Sequence, residues 1–280
     1  MATTTAPASV PGADVAPPVA KDGQIIGGLR EAGELTKFSL SSVRALTGVP
    51  RYTSEVLRQA SIMIRGSSVF VFFLSAFCGM SIVNFAYFFL RAIGASDFLG
   101  LTSGYPGPRQ VATTLFGYAF TAKVCCGMTA ELGAMKINQE IDAYESTGVD
   151  PLRYVVGTRI MAVLIFAPIA TVISLFAVLA GVYFDSVILI HGIAPSTLLQ
   201  VNWSVQTLTD QLFAFVTMTT VAVSTALVAC FYGLRTRGGP DAVGSAVARS
   251  LVVNLVVVHI ITAGFAAAFY GTNIRLPIGG

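Results

Sequence analysis

The stretch Val69–Ile93 reads VFVFFLSAFCGMSIVNFAYFFLRAI, with Arg91 as its sole charged side chain. About 20 predominantly apolar residues are enough for a helix to cross the hydrocarbon core of a bilayer. This run therefore specifies a membrane span. Four more follow, at about 111–135, 154–183, 208–234 and 248–270. The second and fourth are less uniformly apolar and carry many small or hydroxylated residues. The whole chain of 280 residues is 54% hydrophobic and 11% charged, whereas about a quarter of residues are charged in soluble proteins. Composition thus excludes a soluble enzyme and implies one membrane domain over 67–280.

Upstream of the first span the character changes twice. Residues 1–20 lack Lys and Arg and are rich in Ala, Thr, Pro and Val. Such a segment buries too little apolar surface to fold, so a disordered tail is expected over 1–22; with no basic flank and no apolar centre it is not a signal peptide. Residues 23–66 are amphipathic, with Arg30, Lys37, Arg44, Arg51, Arg58 and Arg65 at a seven-residue spacing. On a helix such a repeat drifts by only about 20° per heptad. Gly48-Val49-Pro50 is expected to divide this segment into two helices lying in the membrane interface. A solvated charged face is the plainer alternative.

The first 66 residues hold seven basic residues, the 136–159 connection three and the 235–249 connection three. The opposite segments hold only Arg91, Arg109 and Arg275. By the positive-inside rule, this places the N-terminus in the cytoplasm and the C-terminus outside.

The connection between spans two and three, ELGAMKINQEIDAYESTGVDP over Glu131–Pro151, is the most informative. Ile137, Ile141, Tyr144 and Gly148 fall on one helical face, with Asn138, Gln139, Glu140, Asp142 and Glu145 over much of the remainder. Gly148 suits a helix stop, and Asp150-Pro151 suits an N-cap followed by proline at the first helical position. A short amphipathic cytoplasmic helix over about 136–148 is expected. Periodicity alone leaves open whether it lies on lipid, enters a groove on a partner or merely connects.

Thr129-Ala-Glu-Leu-Gly-Ala-Met-Lys136, followed by Glu140, Glu145 and Gly148-Val-Asp-Pro151, resembles the pattern T-A-E-(I/L)-G-x-M-(K/R), acidic helix, G-(V/I)-D-P. That is the pattern of the MlaE/YrbE permeases, the membrane subunits of ABC-type lipid transporters that work with MCE proteins. Arg159, Tyr232-Gly-Leu234, Gly238-Gly-Pro240 and Phe269-Tyr-Gly-Thr-Asn273 extend the similarity over about residues 25–275, the last being similar to the actinobacterial YrbE branch. The resemblance implies that the helix after span two couples the permease to a cytoplasmic ATPase dimer, with Glu140, Asp142, Tyr144, Glu145 and Asp150 as coupling residues. It further implies a second YrbE-like subunit, this chain being the B-type half of a heterodimer, together with MCE proteins on the outer side and a lipid substrate. ATP and Mg would be bound by the partner. One departure is that Gly104-Tyr-Pro-Gly-Pro108 stands where many members carry an acidic segment.

Lys123 and Glu131 lie eight residues apart in span two, on a similar face. They are candidates for the lipid path or for a structural pair, since intramembrane charges face a bundle interior or a wet cavity. Ala122, Cys126, Ala130 and Gly133 form a small-residue stripe suited to helix packing, within the chain or at a dimer interface. His259 and Asn254 read as interhelical hydrogen-bonding groups. Asn202-Trp-Ser204 matches a glycosylation sequon, a short pattern frequent by chance.

No G-x-x-x-x-G-K-S/T loop, H-E-x-x-H, G-x-S-x-G or paired Cys/His cluster occurs. The chain is therefore expected to lack its own ATP site, catalytic residues and metal ligands. The sequence supports an all-α integral membrane protein of five spans, preceded by amphipathic interfacial helices; the resemblance implies a permease in the inner membrane that imports lipids such as fatty acids or sterols. A non-transporting membrane scaffold that anchors MCE proteins is the alternative.

Overall fold

The computed structural model describes residues 21–271 except Pro106. Residues 1–20 of the expected tail over 1–22, the Thr272-Asn273 end of the family-like motif and Arg275 lie outside the described residues, while residues 21 and 22, expected in the tail, open the first helix. The described chain is helical throughout and contains five helices long and apolar enough to cross a membrane. It is a multi-pass membrane protein.

Helix α1 (Lys21–Ala45) is followed by a 3-10 turn, Leu46–Tyr52, and then by α2 (Thr53–Ala92). The break falls at Gly48-Val-Pro50, where proline cannot donate to a helical ladder. Beyond it, the 53–66 segment is no separate helix. No proline interrupts Thr53–Ala92, so α2 runs on into the first span. Its 40 residues extend about 60 Å, roughly twice the thickness of the hydrocarbon core. The basic heptad is consequently split: Arg30, Lys37 and Arg44 lie on α1, Arg51 lies in the turn, and Arg58 and Arg65 lie on α2.

The second span comprises α3 (Ala112–Phe120), a π turn over Thr121–Cys125, and α4 (Cys126–Ile137). Helix α5 (Glu140–Ser146) follows. The third span is α6 (Thr158–Tyr183), flanked by π turns at Leu152–Gly157 and Phe184–Leu189. A short α7 (Pro195–Val205) precedes the fourth span, α8 (Leu208–Leu234), and the fifth, α9 (Pro240–Tyr270).

The longest interface joins α2 to α6. Its close approach depends on two glycines. A Cβ built on Gly79 would lie 2.5 Å from the Val178 carbonyl oxygen, and one on Gly181 would lie 2.0 Å from that of Ala76. Small residues at a crossing let backbones come together where lipid supplies no hydrophobic drive. The buried Ser75 and Ser174 hydroxyls hydrogen-bond across the same crossing at 3.1 Å.

Around this pair, Phe116, Phe120 and Phe166 form a stacked, fully buried series with centroid separations of 5.6 and 5.9 Å. Helix α9 is peripheral. It packs on α8 and α4 but leaves Val252, Val256 and Ile260 exposed, as expected of a face turned to lipid or to another subunit. At the far end, Arg109 makes a two-pronged ion pair with buried Asp210, at 2.9 and 3.2 Å. Asp210 also completes a capping box with Thr207 at the start of α8. Asn202 is fully buried and accepts from Ser103 at 2.7 Å, so the sequon at 202–204 offers no accessible acceptor.

Candidate functional site

The connection after span two is shorter than its periodicity suggests. Helix α4 ends at Ile137, and Gln139 adopts a left-handed conformation (φ 59°). The expected helix over 136–148 is therefore cut to seven residues, Glu140–Ser146. Its C-terminus closes in a Schellman arrangement: Gly148 (φ 79°) donates to the Glu145 carbonyl and Val149 to that of Tyr144, both at 3.0 Å. Only glycine takes this conformation without a Cβ penalty. Asp150 then accepts from the Leu152 amide at 2.9 Å, at the entry to the third span, and pairs with Arg153 at 3.1 Å.

Helix α5 presents two faces. Ile141 is buried and Tyr144 is half-buried, while Glu140, Asp142 and Glu145 are exposed. Asp142 is held by Lys136 at 2.7 Å, and Glu140 accepts from Asn138 at 3.3 Å. The inward face is wired to the bundle through aromatic rings. The Tyr144 ring lies 5.1 Å from that of Tyr154, and Tyr154 lies 5.2 Å from Tyr52. One stack thus joins α5, the base of the third span and the turn before α2. Aromatic pairs in this range contribute about 0.5–1.5 kcal/mol beyond their burial.

The charges of span two do not pair with each other. Lys123 sits exposed in the π turn, and eight residues amount to about 12 Å of helix rise from it to Glu131. Glu131 instead accepts from Arg159 Nη2 at 2.7 Å. Arg159 is buried on the third span, and its Nη1 donates to the Val155 carbonyl at 2.9 Å. Its signal in the sequence was a cation inside an otherwise apolar run.

The small-residue stripe also divides. Gly133 is buried, and a Cβ there would meet Thr236 at 3.1 Å and Val243 at 3.4 Å, so this end packs within the chain. Cys126 and Ala130 are half-buried and Ala122 is exposed. The π turn inserts an extra residue and rotates the helix before it relative to the helix after it. An open face results, formed by Ala122, Gly127, Ala130 and Ala134 beside Lys123 and Glu131. A Cβ on Gly127 would meet nothing within 4 Å.

In span five, His259 meets the Tyr118 hydroxyl at 2.6 Å, while buried Asn254 reaches Ser250 of its own helix at 3.4 Å. Among the described residues, no group of His, Cys, Asp and Glu side chains is arranged to hold a metal ion.

Similarity to known proteins follows the same segments. The family described as Permease MlaE matches residues 56–268. A probable ABC transporter permease protein of Synechocystis is 31% identical over 170 residues, covering 60% of this chain and 63% of the relative. The chain therefore spans less than two thirds of that relative's length. One from Rickettsia typhi, also named a probable ABC transporter permease protein, is 22% identical over 237 residues, covering 83% of this chain and 91% of the relative. A third, from Porphyra purpurea, is 26% identical over 204 residues, covering 72% and 77%. All three are named as probable ABC transporter permease proteins, and the chain belongs to the MlaE permease family.

Proposed function

We propose that this chain is the permease subunit of an ABC-type lipid transporter in which α5 receives the stroke of a cytoplasmic ATPase. The observation that carries this reading is the two-faced α5: three exposed carboxylates outside, and an aromatic stack from Tyr144 to Tyr154 and Tyr52 inside. A push on α5 reaches the base of the third span through Tyr154. The Glu131–Arg159 bridge then ties that span to the second. Movement of these two spans changes the width of a cavity at the face of Ala122, Gly127 and Ala130, where a second permease subunit of the same family completes the wall.

In this reading the α5 end is cytoplasmic, as its excess of basic residues favours. The protein sits in the inner membrane with its C-terminus outside, and α1 lies along the membrane surface. MCE proteins meet the opposite end, near α7 and the exposed Trp203. ATP and Mg belong to the ATPase, and the cargo is a hydrophobic lipid such as a fatty acid or sterol, moving inward. The chain is the B-type half of an actinobacterial heterodimer.

The test is the charge reversal Glu140→Lys/Glu145→Lys. Both side chains are exposed, so the fold survives, while ATPase co-purification and ATP-dependent lipid uptake are lost. Retention of both would refute the coupling role. Recovery of MCE proteins without any ATPase from wild-type membranes would instead identify a scaffold.

A further inference from the structure

A cavity of about 620 Å³ opens at the α5 end, between α1, the end of α8 and the start of α9. Its volume is that of a small-molecule site; no residue of α5 lines it, and it meets that helix through Lys136, which pairs with Asp142. Four cations line it: Lys136, Arg235, Arg237 and Arg249. Apolar side chains, Phe231, Leu234, Ala242 and Ala246, also line it.

The carboxylates nearby are mostly engaged. Glu31, the one acid in the lining, accepts from the Tyr232 hydroxyl at 2.8 Å. Glu34 draws Arg235 to it at 2.5 Å, and Asp142 takes Lys136. Asp241 stands in the first turn of α9. Among the described residues, Arg237 and Arg249 make no ion pair. The cavity lining thus combines two guanidinium groups outside any ion pair with apolar side chains.

That combination matches an amphiphile with an anionic head. The position matches as well. Helix α1, which lines the cavity through Glu31, also carries exposed apolar side chains, including Ile26, Leu29, Leu40 and Val43, as on a helix that lies at a bilayer surface. Basic pockets between spanning helices at this level suit anionic lipid headgroups, and guanidinium forks match phosphate oxygens two at a time.

We infer that this cavity holds an anionic glycerophospholipid of the adjacent leaflet, its phosphate between Arg237 and Arg249 and its glycerol backbone over Phe231, Ala242 and Ala246. The lipid joins α1 to the junction of spans four and five. This site is distinct from the transport face of span two and does not depend on the ATPase coupling.

The full chain, purified with the subunits that accompany it, is placed in nanodiscs of phosphatidylcholine with and without phosphatidylglycerol. Retained lipid is read by native mass spectrometry and stability by thermal melting. The wild type retains phosphatidylglycerol selectively and melts higher in its presence. Arg237→Gln/Arg249→Gln weakens that retention roughly thirty-fold, from about 1 kcal/mol for each cation, with an unchanged melt in phosphatidylcholine alone. Arg44→Gln/Arg51→Gln, which removes two exposed cations at the same end outside the cavity, leaves retention intact. Ala246→Phe fills the cavity without touching its charge and also abolishes retention, which keeps the test decisive if the double variant fails to fold. Equal loss in the Arg44/Arg51 variant would overturn the site in favour of diffuse surface charge. Equal stabilisation by inorganic phosphate would overturn the lipid in favour of a free anion, and no preference in the wild type would overturn both.

Discussion

Arg159 on the third span donates to Glu131 on the second at 2.7 Å, with the arginine side chain 4% exposed and the carboxylate 50% exposed. The bridge crosses from a buried position to an open face, so the two ends do not cost the same to lose. Removing the acid leaves a buried guanidinium short of a partner. Glu131→Gln is expected to destabilise the purified protein by about 1.5–3 kcal/mol, the range for a hydrogen bond to a charged group. Arg159→Met/Glu131→Gln should cost less than the two single changes summed. Thermal melts of the four proteins in one detergent form the double-mutant cycle that checks this.

The α2–α6 crossing is set by glycine. Gly181→Ala places a methyl group where only 2.0 Å separates it from the Ala76 carbonyl, and the helices must move apart. A loss of about 1–3 kcal/mol, the usual cost of overpacking, should appear as a lower melting temperature and a fall in monodisperse yield.

Gly127 lies on an open face, so Gly127→Leu should leave the chain's own melt nearly unchanged. If that face receives the second permease subunit, the same variant loses the partner on co-purification. A variant that keeps its partner would move the subunit contact elsewhere, with exposed α9 the next surface to examine.

Glu34 is tied to Arg235 and to Arg30. The hydrogen bond from Arg235, then that from Arg30, holds its carboxyl below the ordinary value of 4.5. A depressed acid contributes its stability above the unfolded value and loses it as pH falls through the lower folded value. The tether between α1 and the end of α8 should therefore hold at neutral pH and loosen below about pH 4.5. Hydrogen exchange across Lys21–Ala45, divided by the intrinsic rate at each pH, should quicken in acid. Arg235→Gln should reproduce that increase at neutral pH, although Tyr232 still holds Glu31.

Much of the fold was legible because a bilayer demands long apolar runs, and each such run became one span, the second interrupted by a π turn. The extent of α2 was less so: a change from amphipathic to apolar composition marks where a helix enters the membrane, and it does not mark a break. The short helix after span two was legible in its acidic residues and its Gly148 stop. Its length was hidden because the left-handed turn at Gln139 leaves no trace in hydrophobic periodicity. The partner of Glu131 was hidden for a related reason. Spacing along one helix points to Lys123, and the actual partner comes from another helix, 28 residues on. The Arg109–Asp210 pair lay equally far from local pattern, although Thr207 and Asp210 stand at the spacing of a capping box.

The central claim is that ATP hydrolysis in a partner is transmitted through Tyr144 to the third span and moves lipid. The most direct measurement is ATP-dependent lipid transfer by the purified complex in proteoliposomes, wild type against Tyr144→Ala. The account predicts transfer by the wild type. In the variant it predicts that ATPase association and hydrolysis persist while transfer falls at least about ten-fold, the loss that follows from removing roughly 1.4 kcal/mol of coupling. Undiminished transfer in Tyr144→Ala, or no ATP-dependent transfer by an intact wild-type complex, would contradict it.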